Sequence, residues 1–366
     1  MEFQNDILHY QEAFGAEDIS SQAMKRAVEN WFGLYFDRAS LVQLPYTVVR
    51  KLVCAVFAEY EAQGAVLAGI PERFALEMAL IGGECYLKPV FVKNRWQWQV
   101  VPRNSILIFG RDWHGEPTDV GLVERTRMGR SFFTLLERRQ VGSDGLLTVT
   151  NKLYRSANPN ELGREVSLGT QPMYKELPRR YTFPQSLGGV GLVRLKLPMA
   201  NCVDGSREGV SIYAPIMPLM AAIEENERQL QGEFRRGQSR LVVSRDMLRD
   251  GQLKDELFVG LDESPEAVGI TLFSPELRTQ SFLDRQQSYL KLLENVIGLK
   301  RGILSQVEAV ERTATEVTSS EGEYMTLLLD LRRAFERAAE DCRSLMGALG
   351  EKVQGEVIRW GDNLVG

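Results

Sequence analysis

The stretch from Arg312 to Leu345 constrains the fold more than any other part of the chain. It contains no proline, and apolar residues fall at Val317, Tyr324, Leu328, Leu331, Phe335, Ala338, Cys342 and Leu345. From Tyr324 onward the steps alternate four and three, which keeps one stripe on one side of a helix. Thr313 and Glu316 stand three apart, the spacing at which a threonine caps the first turn and a glutamate reaches back to it. A helix this long with one apolar face needs a partner surface, and the rest of the chain must supply it. Periodicity alone is also satisfied by a core helix of any globular domain.

The residues before it divide by period. Residues 17–36 repeat apolar positions at helical spacing through Ile19, Met24, Ala27, Val28, Trp31 and Tyr35. Leu44-Pro45 opens a second helix with proline in its first turn, and Pro71 opens a third that runs to about Leu80. From Gly82 the period changes to two, and β-branched and aromatic residues take over. Strands are expected at Glu84–Val92, Trp96–Val101, Ser105–Phe109, Val120–Arg127, Ser131–Arg138 and Leu146–Arg155, the last two joined across Gly142-Ser143-Asp144-Gly145. The fold class is therefore α+β, with helices over 17–80 and mostly antiparallel sheet over 82–200. Asn158-Pro159-Asn160 and the stretch from Pro172 to Pro184 read as loops. Gly188-Gly189-Val190-Gly191 lacks the third glycine of a dinucleotide fingerprint and precedes a strand rather than a helix, so it reads as a turn.

A helix follows from about Pro218 to Gly237, then short strands at Arg240–Ser244, Leu257–Leu261 and Val268–Phe273. A further helical pattern carries Phe282, Leu283, Leu290, Leu293 and Ile297, and a glycine-punctuated loop, 298–311, leads to the long helix. Val357-Ile358-Arg359-Trp360 reads as the opening of one more strand.

Composition removes several function classes. The 366 residues carry a net charge of −5, which argues against a whole-surface grip on phosphates through many Lys and Arg contacts. That balance is compatible with a smooth tunnel through which a duplex slides. No apolar run is long enough to span a membrane, and the acidic, polar start Met1-Glu2-Phe3-Gln4-Asn5-Asp6 lacks a secretory pattern. Cys54, Cys85, Cys202 and Cys342 are widely spaced and read as reduced, buried thiols rather than a zinc site. There is no G-x-x-x-x-G-K-[S/T], no G-x-S-x-G and no H-E-x-x-H. His9 and His114 are the only histidines, and His114 lies in a turn-rich surface stretch. No catalytic, cofactor or metal residue is expected, and the chain reads as a non-enzyme.

The order Ser274-Pro275-Glu276-Leu277-Arg278, helix, Gly298-Leu299-Lys300-Arg301-Gly302, Thr313-Ala314-Thr315-Glu316-Val317, long helix resembles the portal proteins of tailed bacteriophages. These are the ring-shaped head–tail connectors, here of the siphophage and prophage type. Asp204-Gly205-Ser206-Arg207-Glu208-Gly209-Val210-Ser211-Ile212-Tyr213 extends the resemblance. It implies a wing over 1–205, a stem helix over 206–237 and a small β clip over 238–274. A second stem helix over 275–297, a tunnel loop over 298–311 and a long wing helix over 312–346 follow. Residues 347–366 would be a truncated or minimal crown.

The implied function is a dodecameric channel at the capsid vertex through which double-stranded DNA is packaged and ejected. Its implied partners are a separate terminase, the major capsid protein and a head–tail adaptor. It would sit in the virion, and in the host cytoplasm during assembly. The resemblance assigns Lys300, Arg301, Ser305 and Gln306 to the DNA channel, where a solvated turn is the plainer reading. Arg240, Arg245, Arg249 and Lys254 would be a docking face of the clip, or ordinary surface charge. Two other classes stay open: a structural virion protein without a DNA channel, such as a minor capsid or tail adaptor component, and a cytosolic enzyme with an unrecognised site.

Overall fold

The computed structural model describes residues 9–92, 95–237, 240–244, 258–261, 271–273, 276–306 and 314–361, with backbone alone at 240–244, 258–261, 271–273 and 314–320. The chain forms two compact units: Met1–Arg38, Gln43–Pro215 and Ala314–Gly366 make one, and Ala39–Val42 with Ile216–Thr313 the other.

The first unit is α+β with antiparallel sheets. Strands β1 (Glu61–Gln63), β2 (Glu84–Val92), β3 (Arg95–Pro102), β4 (Ile106–Arg111), β5 (Pro117–Met128), β6 (Ser131–Val141) and β7 (Leu147–Ser156) come in chain order, followed by β8 (Arg164–Val166), β9 (Arg180–Thr182) and β10 (Val193–Lys196). β4 to β7 run as a meander, and β8 and β9 both pair with β7. β2 lies between β3 and β10. The period-two segments thus form strands within a few residues of their expected bounds. β9 falls in the stretch read as loop from Pro172 to Pro184, and β8 where the sequence marks no strand, since three residues are too few to display a period.

Helices Gln22–Tyr35, Leu44–Val56 and Glu72–Gly82 precede the sheets. The first starts later than the apolar repeat suggests. Ser21 is its N-cap, accepting from the Met24 N–H at 3.1 Å, while Ile19 is exposed and pairs its backbone with Ile108. The long helix spans Ala314–Ala348. Thr313, the expected cap, lies outside the described residues. Leu328, Leu331, Phe335, Ala338, Cys342 and Leu345 are all buried on its expected stripe. Phe335 is fully buried, with its ring edge-on to Phe57 at 5.1 Å and to Tyr60 at 5.7 Å. Trp360 stacks on Phe57 and holds the Arg332 guanidinium 4.7 Å over its face. Just before it, β14 (Val357–Arg359), which follows three short strands of the second unit in chain order, pairs antiparallel with β1. Of the four cysteines, Cys85 and Cys342 are buried as expected, but Cys54 and Cys202 are exposed.

In the second unit, helices Met217–Arg236 and Thr279–Ile297 pack together. Pro218 sits in the first turn, where its missing N–H costs no hydrogen bond. Buried Asn226 donates to the Phe282 carbonyl at 3.0 Å. Arg278 forks onto the Glu233 carboxylate at 3.0 and 2.9 Å, tying the end of one helix to the start of the next. Between the helices, β11 (Arg240–Ser244) pairs in parallel with β12 (Phe258–Leu261) and antiparallel with β13 (Thr271–Phe273).

Candidate functional site

The loop after Ile297 is organised by one buried carboxylate. Glu294 lies fully buried on the helix face that also carries Leu290 and Leu293. Its Oε1 accepts from the backbone N–H groups of Gly302, Leu304 and Ser305 at 3.2, 2.6 and 2.9 Å. Its Oε2 accepts from the Ser305 hydroxyl at 2.7 Å. A buried carboxylate must be paired or heavily hydrogen-bonded, and here backbone donors and one hydroxyl do that work.

The two glycines serve the same turn. Gly298 caps the helix at φ +82°, and the Leu299 N–H donates to the Glu294 carbonyl at 2.8 Å, as in a Schellman ending. Gly302 takes φ +92°, a value other residues rarely adopt. Leu299 is buried, whereas Lys300 and Arg301 between the glycines are exposed. The glycines therefore shape a fixed turn around Glu294.

The four channel residues expected from the sequence part company here. Lys300 and Arg301 stand on the outside of the turn. Ser305 is buried against Glu294, so its hydroxyl serves the loop rather than an outside partner. Gln306 is exposed, and its backbone N–H donates to the Gln287 side chain at 2.8 Å. Of the four residues expected on a docking face, Arg240 begins β11 opposite Phe273, while Arg245, Arg249 and Lys254 lie outside the described residues.

The Asp204–Tyr213 segment is held in the first unit by a second group of buried charges. Fully buried Glu84 receives Arg194 on Oε2 at 2.5 and 3.0 Å and the Gly209 N–H at 2.9 Å, with the Arg103 Nε 3.3 Å from Oε1. Arg103, also buried, donates to Glu208 at 2.6 Å, to Ser20 at 3.0 Å and to the Ile106 carbonyl at 3.0 Å. Burial would push the Glu84 carboxyl up, but Arg194 and Arg103 outweigh it and hold the group at about 2.

The rest of the segment is fastened to helices. Asp204 accepts from Ser21 at 2.5 Å, Ser211 donates to the Leu80 carbonyl at 3.1 Å, and the Tyr213 hydroxyl donates to the Trp31 carbonyl at 2.7 Å. Gly83 and Gly209 meet backbone to backbone, leaving no room for a Cβ on either. This motif is therefore a structural clamp. Across the sheet, Glu137 is buried between Lys88 and Arg139 at 2.5 Å each and is also held at about 2: burial raises it, and the two cations outweigh that.

Sequence reading missed Glu294, Glu84, Arg103 and Glu208. A signal existed for Glu294, an acid on an apolar stripe one turn after Leu290 and just before a glycine stop. Among the described residues, no group of three or more His, Cys, Asp or Glu is placed to hold a metal, and no helix is long and apolar enough to cross a membrane.

No protein-family model matches the chain, and no curated protein matches it in sequence. Among solved structures, a chain from "Neck of native GTA particle computed with C12 symmetry" is similar over 96% of this chain and 88% of that one. The TM-score is 0.50 and the sequence identity 10%, so the likeness is one of fold.

Proposed function

We propose that this chain is a portal subunit of a phage-type particle. Copies of it close into a ring, a dodecamer, at the capsid vertex, and the ring is the channel for double-stranded DNA during packaging and ejection. The observation that carries this reading is the near full-length likeness of fold to a chain of a neck solved with C12 symmetry. The segment order read from the sequence agrees with it. Neighbours in a cyclic ring meet through two different faces, so each chain must present both.

In this reading Lys300 and Arg301 face the duplex, and 238–274 docks the terminase and the head–tail adaptor. The wing meets the major capsid protein. The chain does no catalysis; the packaging motor is the terminase. A virion protein of the same fold without a DNA channel is the second reading, favoured by the small number of cations exposed on the loop. Particles assembled without the chain separate the two. A portal leaves heads empty of DNA, whereas an adaptor leaves filled heads without tails, an outcome that would overturn the portal assignment.

A further inference from the structure

At one end of the β4–β7 meander, exposed arginines collect without carboxylates to balance them. Arg127 and Arg130 belong to the hairpin of β5 and β6, Arg155 lies near the end of β7, and Arg164 opens β8. All four are exposed. Among the described residues none of them meets a carboxylate, in a chain whose net charge is −5. The acids close by in sequence are engaged elsewhere. Glu165 pairs with Arg179 at 2.8 Å, Glu161 accepts from Asn158 at 3.0 Å, and Glu124 accepts from the Tyr174 hydroxyl at 2.9 Å.

The strand register sharpens this. Arg155 and Arg164 stand directly opposite each other on β7 and β8, where like charges repel. Arg155 is nonetheless held in place. Its Nε and one Nη donate to the Ser131 hydroxyl at 3.0 and 2.8 Å, and its guanidinium lies 5.8 Å from the centre of the Phe133 ring. The Ser131 oxygen accepts both bonds, so its own proton is left to donate. Arg127, on the other face of the sheet by strand alternation, lies over Phe132 at 5.5 Å.

An anion between Arg155 and Arg164 turns their repulsion into attraction, and guanidinium forks match the oxygens of a phosphate. β5 and β7 are two strand spacings apart, about 10 Å, so the charge extends beyond the reach of one such group. Among the described residues of that hairpin, Met128 is the one large apolar side chain that is exposed. Recognition here therefore rests on charge. A phosphate backbone supplies repeated charge and asks for little else, whereas a protein segment also brings apolar side chains to bury.

We propose that this end of the sheet binds the phosphate backbone of double-stranded nucleic acid. Arg155, Arg164 and Ser131 hold one phosphate, and Arg127 and Arg130 hold two more. It is a duplex contact in addition to Lys300 and Arg301, and it rests on the portal reading only in that the particle holds duplex DNA.

The full chain carrying Lys300→Ala and Arg301→Ala isolates this contact. Its binding to a labelled duplex of about 30 base pairs is followed by fluorescence anisotropy from about 50 to 200 mM salt. Binding should persist in that background. Adding Arg127→Ala, Arg130→Ala, Arg155→Ala and Arg164→Ala should weaken it about ten-fold or more. The slope of log affinity against log salt should flatten by about 3, at ~0.9 for each of the phosphates released. Arg164→Gln alone repeats the test without touching Ser131 or either ring. It should weaken binding several-fold, with a urea midpoint equal to or above its parent's because the repulsion is relieved. Duplex affinity unchanged in both variants overturns the proposal and leaves the portal reading standing. A variant that keeps its duplex affinity but loses a virion protein assigns the arginines to that protein and also overturns it. Arginine-dependent duplex binding by a chain that never forms rings overturns the portal reading and leaves this proposal intact.

Discussion

Two turns in this molecule are built on buried carboxylates, and they satisfy them differently. Around Glu84 and Glu208 the partners are arginines, with Arg103 shared between the two acids. Around Glu294 the named partners are three backbone N–H groups and one hydroxyl. The first arrangement couples distant parts of the chain, since Arg103 and Glu208 are over a hundred residues apart. The second couples a helix end to the next few residues. A shared cation makes the clamp part of the global fold, whereas a locally satisfied carboxylate makes the loop a shaped surface that can change without unfolding its support.

The largest expected effect follows from removing the shared cation. Arg103→Leu leaves Glu208 facing only Arg111 at 3.4 Å and Glu84 relying on Arg194. Breaking a buried pair on one side costs about 3–5 kcal/mol, to be read from urea midpoints at constant slope. A loss under about 1 kcal/mol would mean that the clamp is no more global than the loop.

Acid should dissolve the clamp next. Glu84 and Glu137 titrate at about 2 in the folded chain against an ordinary value of 4.5. Both are depressed, so their stabilisation is complete above 4.5 and is lost as pH falls toward 2. Each contributes on the order of a few kcal/mol at about 1.4 kcal/mol per unit. Midpoints flat from pH 5 to pH 2.5 would contradict the pairing described.

Glu294→Gln should act on the loop alone. It retains one acceptor but presents an amide donor to a site lined by donors, and should speed hydrogen exchange at Gly302, Leu304 and Ser305. The global cost should be about 1–3 kcal/mol. Unfolding on the scale of Arg103→Leu would erase the distinction between the two turns. Ser305→Ala removes one bond of the set and should cost about 1 kcal/mol. Last, Lys300→Ala with Arg301→Ala should leave stability and assembly unchanged while altering DNA packaging or retention. Normal packaging and retention in that variant would take these side chains out of the DNA path.

The sequence is most legible where one physical signal dominates. Period-two apolar residues from Glu84 to Arg155 mark their strands because each has one buried face, and the stripe through Phe335 marks its helix for the same reason. Pairings with no local signature are invisible: β1 meets β14 from the opposite end of the chain, and the Trp360 ring joins Phe57 and Phe335 by the same route. Buried charges are the other blind spot. Arg103 and Glu208 carry no local signal of burial, because only the fold reveals which partners surround them. For the candidate site, the glycine spacing at 298 and 302 marked the turn, but not the hydrogen bonds to Glu294 that fix it.

Symmetry-free classification of electron micrographs of the purified wild-type chain should show whether it forms a channel. Closed rings with an open central hole are expected, twelve copies around, with the 298–306 turn lining the bore. A compact monomer, or an assembly with no axial opening, would contradict the portal reading.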